Sequence, residues 1–410
     1  MRVTLLALKR LLPVLQKVPE ASQKYLQVAI IGPPNSGKSM LANRLAGAEV
    51  CAVSSKMDTT QQNTLLALTE NDCQLVMIDT PGTVGIKHAK ETVGKNAEKI
   101  LTDPENSLKF ADHILVVQDS TATGDYIHHR VLHLLHRSLH LKSSLVMNKI
   151  DLVTRRKDLL ELVRILCNGQ VGGQEIATVK TQIGRLGKVS EKGLSLHAKD
   201  LSDRSDEWQQ MYRKLMLKPT SHCTYAETKK LFQDIRGWPN FSSVFYTSAL
   251  TGEGVDEMRK FLMSQAENKP HRYDPNLITT KKPQLICRDV IRAQLLDNLP
   301  GDIAYSLKVR AFKVEIAEWQ VDGEVLQIVA TINCPKERLA KYVIGGTGGK
   351  ITRIAKAVNA TMQNLLKQQL FVRLLVKANG KVIETIGSKI GHLASPAVPS
   401  STDANVPSQM

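Results

Sequence analysis

The sequence predicts an α/β protein built from two units, a mostly parallel sheet with helices on both faces and a smaller α+β unit behind it. Short runs rich in β-branched residues alternate with helix-like stretches from residue 26 onward, which is typical of parallel strands joined by crossover helices. Each run ends in a loop rich in Gly, Asp, Asn or Ser, and the runs are 26–31, 75–78, 114–117, 145–147 and 244–246. After a polar segment the pattern restarts near Pro283, and this predicts the second unit.

The composition excludes several classes of protein. Of 410 residues 42% are hydrophobic, which argues against a disordered chain, and no apolar run reaches the roughly 18–20 residues that span a bilayer. Six cysteines are scattered without a CxxC pair, so we expect reduced thiols rather than a disulfide framework. Basic residues exceed acidic ones by 55 − 39 = 16, and residues 281–380 contribute 16 − 8 = 8 of this excess. Such a surplus favours polyanionic partners.

The two ends of the chain and one internal stretch depart from the two-unit pattern. Residues 1–24 are basic and amphipathic, with no acidic side chain before Glu20, as in an organelle transit peptide; an ordinary amphipathic leader is the alternative. We expect the first unit at 25–268, interrupted by a glycine-rich, partly flexible insertion at about 167–238 with helices around 208–217 and 226–235. The second unit is expected at 283–380, and the tail 394–410 is expected to be disordered.

A phosphate-binding motif follows the first predicted strand. It fits GxxxxGK[ST], opens a predicted helix, and reads Gly32-Pro33-Pro34-Asn35-Ser36-Gly37-Lys38-Ser39. Glycines let the backbone wrap closely around phosphates, so that successive N–H groups and the helix N-terminus surround the anion. In this role Lys38 would contact the β- and γ-phosphates, and the Ser39 hydroxyl would complete a magnesium shell.

Three further tetrapeptides follow later strands. In Asp79-Thr80-Pro81-Gly82, the carboxylate can hold magnesium through a water and the Gly82 N–H can contact a γ-phosphate. In Asn148-Lys149-Ile150-Asp151, a carboxylate that accepts two N–H bonds selects guanine, because adenine offers no such pair of donors. Thr247-Ser248-Ala249-Leu250 can offer the Ala249 N–H to the guanine oxygen. Because the carboxyl ends of parallel strands meet at one edge of a sheet, the four elements predict a single nucleotide site.

Together these motifs are those of the P-loop GTPases, and their order resembles the Era family of ribosome-assembly GTPases. The resemblance covers about 26–165 and 240–380, and it implies GTP and Mg²⁺ as ligands. It places Ser39, Thr60 and Asp79 (through water) at the metal, and Lys38, Thr60 and Gly82 in catalysis. Two positions depart from the expected pattern: Gln61 stands where the family usually has Arg, and Thr83 where Ras-like enzymes place a catalytic Gln. We therefore expect slow intrinsic hydrolysis that a partner could stimulate.

A second motif predicts RNA binding by the C-terminal unit. Residues 343–351 contain a GxxG turn, and the helix after it would bury one apolar face made of Ile351, Ile354, Ala355, Val358, Met362 and Leu365. A turn without bulky side chains lets the backbone pack against a phosphodiester, and a helix N-terminus adds positive field. This frame resembles a type II KH domain, which implies an RNA surface made of Ile344, Gly345, Gly346, Thr347, Gly348, Lys350, Arg353 and Lys356.

The resemblance also implies a function. The interrupted first unit and the basic leader fit the mitochondrial Era-like branch, whose members are chaperones of small-subunit ribosomal RNA. We therefore expect a GTPase that binds this RNA and the small ribosomal subunit, as a monomer in the mitochondrial matrix, with peripheral contact to the inner membrane as an option. Three alternatives stay open: an ATPase, an RNA-binding protein with a vestigial nucleotide pocket, and attachment to a membrane surface through the basic leader.

A histidine-rich stretch is set aside as a metal site. His129 with His133, and His136 with His140, have the i, i+4 spacing that could ligate zinc. No acidic or cysteine partner accompanies them in the stretch, and the leucines between them explain the helix by packing. We expect a solvated helix face.

Overall fold

The computed structural model describes residues 18–54, 60, 62–83, 97–121, 124–176, 204–300 and 313–386. The tail 394–410, residues 1–17 of the basic leader and the glycine-rich centre of the insertion lie outside the described residues. Within these ranges the chain forms a seven-stranded sheet, a four-stranded sheet and a short two-stranded hairpin.

The seven-stranded sheet is mostly parallel, as predicted. The strands of the first unit are β1 (Lys24–Ile31), β2 (Thr64–Glu70), β3 (Cys73–Asp79), β4 (His113–Asp119), β5 (Lys142–Asn148), β6 (Gln170–Val171), β7 (Gln174–Glu175), β8 (Phe241–Tyr246) and β9 (Glu267–Asn268). The sheet order is β2-β3-β1-β4-β5-β8, β9 pairs with β1, and β6 and β7 form the separate hairpin. β2 and β9 are antiparallel to their neighbours, whereas β3, β1, β4, β5 and β8 are parallel. All five predicted strands are present.

Helices cover both faces of this sheet. They are α1 (Lys38–Ala46), α2 (Ala97–Leu108), α3 (His129–Arg137), α4 (Lys157–Leu166), α5 (Asp206–Met216), α6 (Tyr225–Phe232) and α7 (Val255–Ser264). Successive residues of β1 point to opposite faces, so Val28 and Ile30 pack with α1 and α7 while Ala29 and Ile31 pack with α3 and α4. Burial on both faces explains why the central strands are continuous apolar runs in the sequence.

The described part of the insertion packs on α3 as a helical layer. Its helices α5 and α6 lie close to the two positions that the sequence predicts. The Arg130 side chain is 2% exposed and donates to the carbonyl oxygens of Cys223 (2.7 Å) and Thr220 (2.6 Å). The Trp238 N–H donates to Leu166 O at 2.8 Å, which returns the chain to the end of α4. Because a buried guanidinium needs such acceptors, Arg130 holds the insertion against the first unit.

The expectation of a solvated histidine face on α3 is wrong. His133 is fully buried, with Nδ1 2.8 Å from Thr220 Oγ1 and Nε2 3.0 Å from Leu215 O. His136 stacks on Phe232, with ring centroids 5.1 Å apart. The covering residue Thr220 lies 87 positions further along the chain, so the pattern of α3 alone does not reveal it. Within the described ranges no group of His, Cys, Asp and Glu side chains is arranged to hold a metal ion.

The second unit is a four-stranded sheet packed on helices. Its elements are α8 (Pro283–Asn298), β10 (Lys313–Asp322), β11 (Val325–Cys334), α9 (Glu337–Ile344), α10 (Gly349–Leu366), β12 (Leu370–Ala378) and β13 (Lys381–Ile386). The strand order is β10-β11-β12-β13, with β11 and β12 parallel and the outer pairs antiparallel. The apolar face predicted for α10 is buried at every position. The sheet extends past the expected boundary at 380, because β13 adds a strand to its edge.

The segment between the two units lies along the edge of the first sheet. The Ala67 N–H of β2 donates to Ile278 O at 2.7 Å, and the Thr279 hydroxyl donates to Leu65 O at 2.5 Å. These bonds satisfy backbone groups that an edge strand would otherwise leave open. None of the helices in the described ranges is long and apolar enough to cross a membrane.

Three histidines, the buried His113 and His133 and the half-buried His136, predict a loss of stability in mild acid. Burial lowers the pKa of His113, His133 and His136 to about 4. In the unfolded chain a histidine has a pKa near 6.5 and binds protons more readily, so stability is fully present above about pH 6.5 and is lost as the pH falls toward 4. We expect the melting temperature to fall across this window in a thermal unfolding series.

A pair of variants separates this effect from general acid sensitivity. His133→Asn should lower the melting temperature at neutral pH and reduce the further loss on acidification. The exposed His140 is the matched control, and His140→Asn should leave both quantities unchanged. A melting temperature that stays constant between about pH 7 and pH 5 would contradict the prediction.

Candidate functional site

The phosphate loop connects β1 to α1. Glycine is required at two points where this loop and the other motifs come into close contact. Asn35 and Gly37 have φ angles of 60° and 92°, in the left-handed region. A Cβ on Gly37 would lie 2.2 Å from Asn148 Nδ2, and a Cβ on Gly82 would lie 2.7 Å from Pro34 Cα. Neither position therefore has room for a side chain. The loop leads into the N-terminus of α1, where N–H groups without intrahelical acceptors can bind an anion.

Three oxygen-bearing side chains meet beside the loop. The Ser39 hydroxyl donates to Asp79 Oδ2 at 2.7 Å, and its oxygen lies 2.8 Å from Thr60 Oγ1. Asp79 is fully buried, and its Oδ1 has no hydrogen-bond partner in the described part of the chain. Burial raises the pKa of Asp79, while the Ser39 hydroxyl and the Lys38 ammonium act in the opposite direction. A buried carboxylate oxygen without a donor fits a hydrated Mg²⁺, which prefers oxygen ligands and keeps several waters.

Lys38 brings a positive charge into the same place. Its side chain is 6% exposed, and its ammonium donates to Pro33 O at 2.8 Å, so it folds back over the loop. A largely buried ammonium is costly unless it is compensated by hydrogen bonds or an opposite charge. A bound phosphate would supply that charge at short range.

Asn148 joins the two sides of the site. Its side chain is 1% exposed, its Nδ2 donates to Ser36 O at 2.9 Å, and its Oδ1 accepts from the Ala249 N–H at 3.0 Å. The neighbouring Lys149 has a φ of 64° and pairs with Asp119 at 2.7 Å. Asn148 therefore positions the phosphate loop against the loop after β8, and Asp151 stays exposed at the rim.

The motifs surround one cavity of about 400 Å³ at the carboxyl ends of the parallel strands. The predicted residues that line it are Pro34, Asn35, Gly37, Lys38, Ser39, Thr60, Thr80, Gly82, Asn148, Lys149, Asp151 and Ala249. The predicted residues that do not line it are Gly32, Pro33, Ser36, Asp79, Pro81 and Ser248. The lining residues that were not predicted are Met40, Ala52, Val53, Ser54, Leu152 and Leu250. Of these, Leu152 and Leu250 are the most exposed, at 61% and 60%. Each directly follows a residue singled out as base-contacting, and a flat base could cover them.

Thr83 does not take the place of a catalytic amide. It is 4% exposed, and both its N–H (3.1 Å) and its hydroxyl (3.3 Å) donate to Gly32 O. Its side chain is therefore hydrogen-bonded to the first residue of the phosphate loop.

The GxxG turn of the second unit presents open backbone. α9 ends at Ile344, Gly345 and Gly348 have φ angles of 76° and 70°, and α10 begins at Gly349. A Cβ on Gly346 or Gly349 would meet no atom of the described residues within 4 Å. Of the predicted basic residues, Arg353 and Lys356 are exposed and Lys350 is half-buried. The side chain of Thr347 lies outside the described residues.

Comparison with known proteins identifies the family. The chain is 46% identical over 374 residues to the mitochondrial GTPase Era of Caenorhabditis elegans, covering 90% of this chain and 93% of the relative. The chain belongs to the Era family of GTPases, in its mitochondrial branch. It is also 31% identical to the mitochondrial GTPase Era of Danio rerio, covering 88% of this chain and 78% of that relative. A family model described as "50S ribosome-binding GTPase" matches residues 27–149, which hold the phosphate loop and the Asp79 motif.

Solved Era structures share the fold across both units. One is a crystal structure of Era in complex with MgGDPNP and nucleotides 1506–1542 of 16S ribosomal RNA, with a TM-score of 0.61, 22% identity, and 87% of this chain and 94% of that chain covered. Another is a crystal structure of a single-residue variant of Aquifex aeolicus Era bound to GDP and AlF4⁻, with a TM-score of 0.60, 22% identity, and 87% of this chain and 94% of that chain covered. The fold class is therefore confirmed as a P-loop GTPase domain followed by a smaller KH domain. As an Era GTPase, the chain hydrolyses GTP with Mg²⁺.

Matched glycine variants test the contact between the phosphate loop and Asn148. Gly37 and Gly252 have nearly equal φ angles of 92° and 93°, so an alanine pays a similar backbone cost at each. Only at Gly37 would the new methyl group also strike Asn148, whereas nothing lies within 4 Å at Gly252 among the described residues. We expect Gly37→Ala to lower GTP affinity by about tenfold or more, measured by calorimetry. Gly252→Ala should bind nearly as the wild type, and equal affinities of the two variants would refute the steric argument.

Proposed function

We propose that this mitochondrial Era GTPase binds small-subunit ribosomal RNA through its KH domain and uses GTP hydrolysis to time that binding during assembly of the small ribosomal subunit. The observation that carries the proposal is a direct contact between the KH domain and the segment that leads to Thr60. The Era structure in complex with MgGDPNP and a 16S ribosomal RNA fragment, which has the same fold, supports it.

The cavity at the strand ends holds GTP in this proposal. The phosphate loop and Lys38 would bind the phosphates, and Ser39 and Thr60, together with Asp79 through a water, would hold Mg²⁺. Bound Mg²⁺ supplies charge neutralisation for the phosphates. Asp151 accepts from the guanine edge, and the Ala249 N–H, oriented by Asn148, donates to the guanine oxygen.

Hydrolysis depends on positioning and charge. The Lys38 ammonium lies where negative charge develops, the Gly82 N–H donates to the γ-phosphate, and Thr60 closes over it. Because the Thr83 side chain is committed to Gly32 O, it does not orient the attacking water. The intrinsic rate is accordingly slow, and a partner that completes the site would accelerate it.

One contact connects the segment that leads to Thr60 to the KH domain, and a second joins the KH domain to the segment between the two units. The Ser54 hydroxyl, on the segment that leads to Thr60, donates to Asp297 Oδ1 of α8 at 2.8 Å. Lys281 pairs with Asp289 of α8 at 2.8 Å, and these side chains are only 12% and 20% exposed. α8 packs directly on α10, the helix that follows the GxxG turn. A rearrangement of the Thr60 segment around GTP therefore changes contacts of α8, and α8 carries the RNA-binding helix with it.

On the RNA side, the backbone of the GxxG turn contacts a phosphodiester, with Ile344 through Gly348 at the turn and Lys350, Arg353 and Lys356 supplying positive charge. We place the protein in the matrix as a monomer, where its RNA partner resides. Contact with the inner membrane would occur through the basic leader. Liposome flotation of the full chain against a deletion of residues 1–24 tests that contact, because only the full chain should float.

Asp151→Asn tests guanine recognition and separates a GTPase from an ATPase. The substitution replaces a carboxylate by an amide, which leaves one uncharged oxygen to accept from the two N–H donors of guanine. We expect GTP binding to weaken by about 10- to 100-fold while ATP binding changes little. RNA affinity should stay nearly unchanged. Competition of GTP and ATP for the site measures the ratio, and Lys38→Ala, which weakens binding of both nucleotides, is the control. An unaltered GTP-to-ATP ratio in Asp151→Asn would favour the ATPase alternative.

Gly346→Asp combined with Thr347→Asp tests the RNA surface. Two carboxylates on the open turn repel phosphate, so RNA affinity should fall by about tenfold or more. The control is Gln320→Asp with Gly323→Asp, which adds the same charge to the exposed β10–β11 hairpin of the same domain. Filter binding with small-subunit ribosomal RNA gives the readout. Equal losses in both double variants would indicate a nonspecific effect of charge and would contradict a role of the turn.

A further inference from the structure

The edge strand β13 lies beside the GxxG turn. Asn379 and Gly380 have φ angles of 50° and 80°, as a two-residue type I′ turn requires, and they fold β13 back along β12. The Ile386 Cδ1 atom lies 3.6 Å from the place that a Cβ of Gly348 would take, which is ordinary van der Waals contact. β13 therefore borders the turn on one side, next to the open backbone at Gly346 and Gly349.

Strand pairing decides which β13 side chains share the face of the turn. Ile386 pairs with Leu374 and Glu384 pairs with Val376, and both partners are fully buried beneath the helices. Residues paired across a sheet point to the same face, so Ile386 and Glu384 lie on the helix-facing side, about 7 Å apart along the strand. Thr385 pairs with Leu375 and points to the opposite face.

Glu384 is an unusual neighbour for a phosphate-binding turn. Within the described ranges its carboxylate accepts one hydrogen bond, from the Thr385 N–H at 3.3 Å, and it forms no ion pair there. The domain around it is basic, with 16 basic against 8 acidic residues in 281–380. A carboxylate beside an RNA backbone opposes binding unless it accepts hydrogen bonds from a base. Guanine is the base that offers two adjacent donors, N1–H and the N2 amino group, to a carboxylate.

We propose that β13 is the base-reading wall of the RNA cleft and that Glu384 selects guanine. The RNA backbone crosses the GxxG turn, one base packs on the Ile386 side chain, and a guanine donates two hydrogen bonds to the Glu384 carboxylate. This inference rests on the proposed RNA-binding function and adds the base specificity of the same surface.

The test uses the full chain and decamers of uridine that carry one central guanosine, inosine or adenosine. Fluorescence anisotropy should show the guanosine decamer binding about tenfold more tightly than the adenosine decamer. Inosine lacks the N2 amino group and should be intermediate. Glu384→Gln, which keeps the shape of the side chain, should bring the guanosine-to-adenosine ratio close to one. Thr385→Gln, on the opposite face of the same strand, should keep the wild-type ratio.

Two further variants separate the possible failures. Ile386→Ala should weaken all three decamers by a similar factor without changing their ratio. If Gly346→Asp with Thr347→Asp binds RNA normally, the proposed RNA-binding function fails. If that double variant loses RNA while Glu384→Gln keeps the wild-type preference for guanosine, only the role of Glu384 is overturned. A wild-type protein without any preference for guanosine would overturn it as well.

Discussion

The nucleotide site depends on the buried amide of Asn148. One end of this side chain donates to the phosphate loop at Ser36 O, and the other accepts from the loop after β8 at the Ala249 N–H. The two loops are far apart in sequence, so a single residue fixes the distance between the place for the phosphates and the place for the base. A buried amide left without either partner would cost about 1–3 kcal/mol, and this opposes separation of the loops.

The second constraint is that the KH domain contacts the segment that leads to Thr60 in the nucleotide site. The segment between the domains pairs with β2, and its Lys281 forms an ion pair with Asp289 of α8. Ser54, on the segment that leads to Thr60, donates to Asp297 of the same helix. α8 in turn packs on α10, the helix that follows the GxxG turn. In both candidate sites a glycine, Gly37 or Gly348, directly precedes the N-terminus of a helix.

Sequence reasoning succeeded where the signal is local and failed where distant parts of the chain meet. The strands that end at Ile31, Asp79 and Asn148 were predictable, because burial on both faces leaves continuous apolar runs. The buried state of His133 was not, because its partners come from the insertion, 82 to 87 residues later. β13 could have been found from Asn379-Gly380, which is a strong hairpin signal.

The sequence by itself determined the fold class, the four nucleotide motifs and the GxxG turn, because each rests on the chemistry of a few consecutive residues. Only the tertiary structure decided which of these residues line the cavity. It also decided that Asn148 hydrogen-bonds two loops to each other and that the Thr83 hydroxyl donates to Gly32 O. It also placed Ile386 against Gly348 and the KH domain against the Thr60 segment. These facts depend on contacts between segments remote in sequence, which packing of the whole chain establishes and no local pattern encodes.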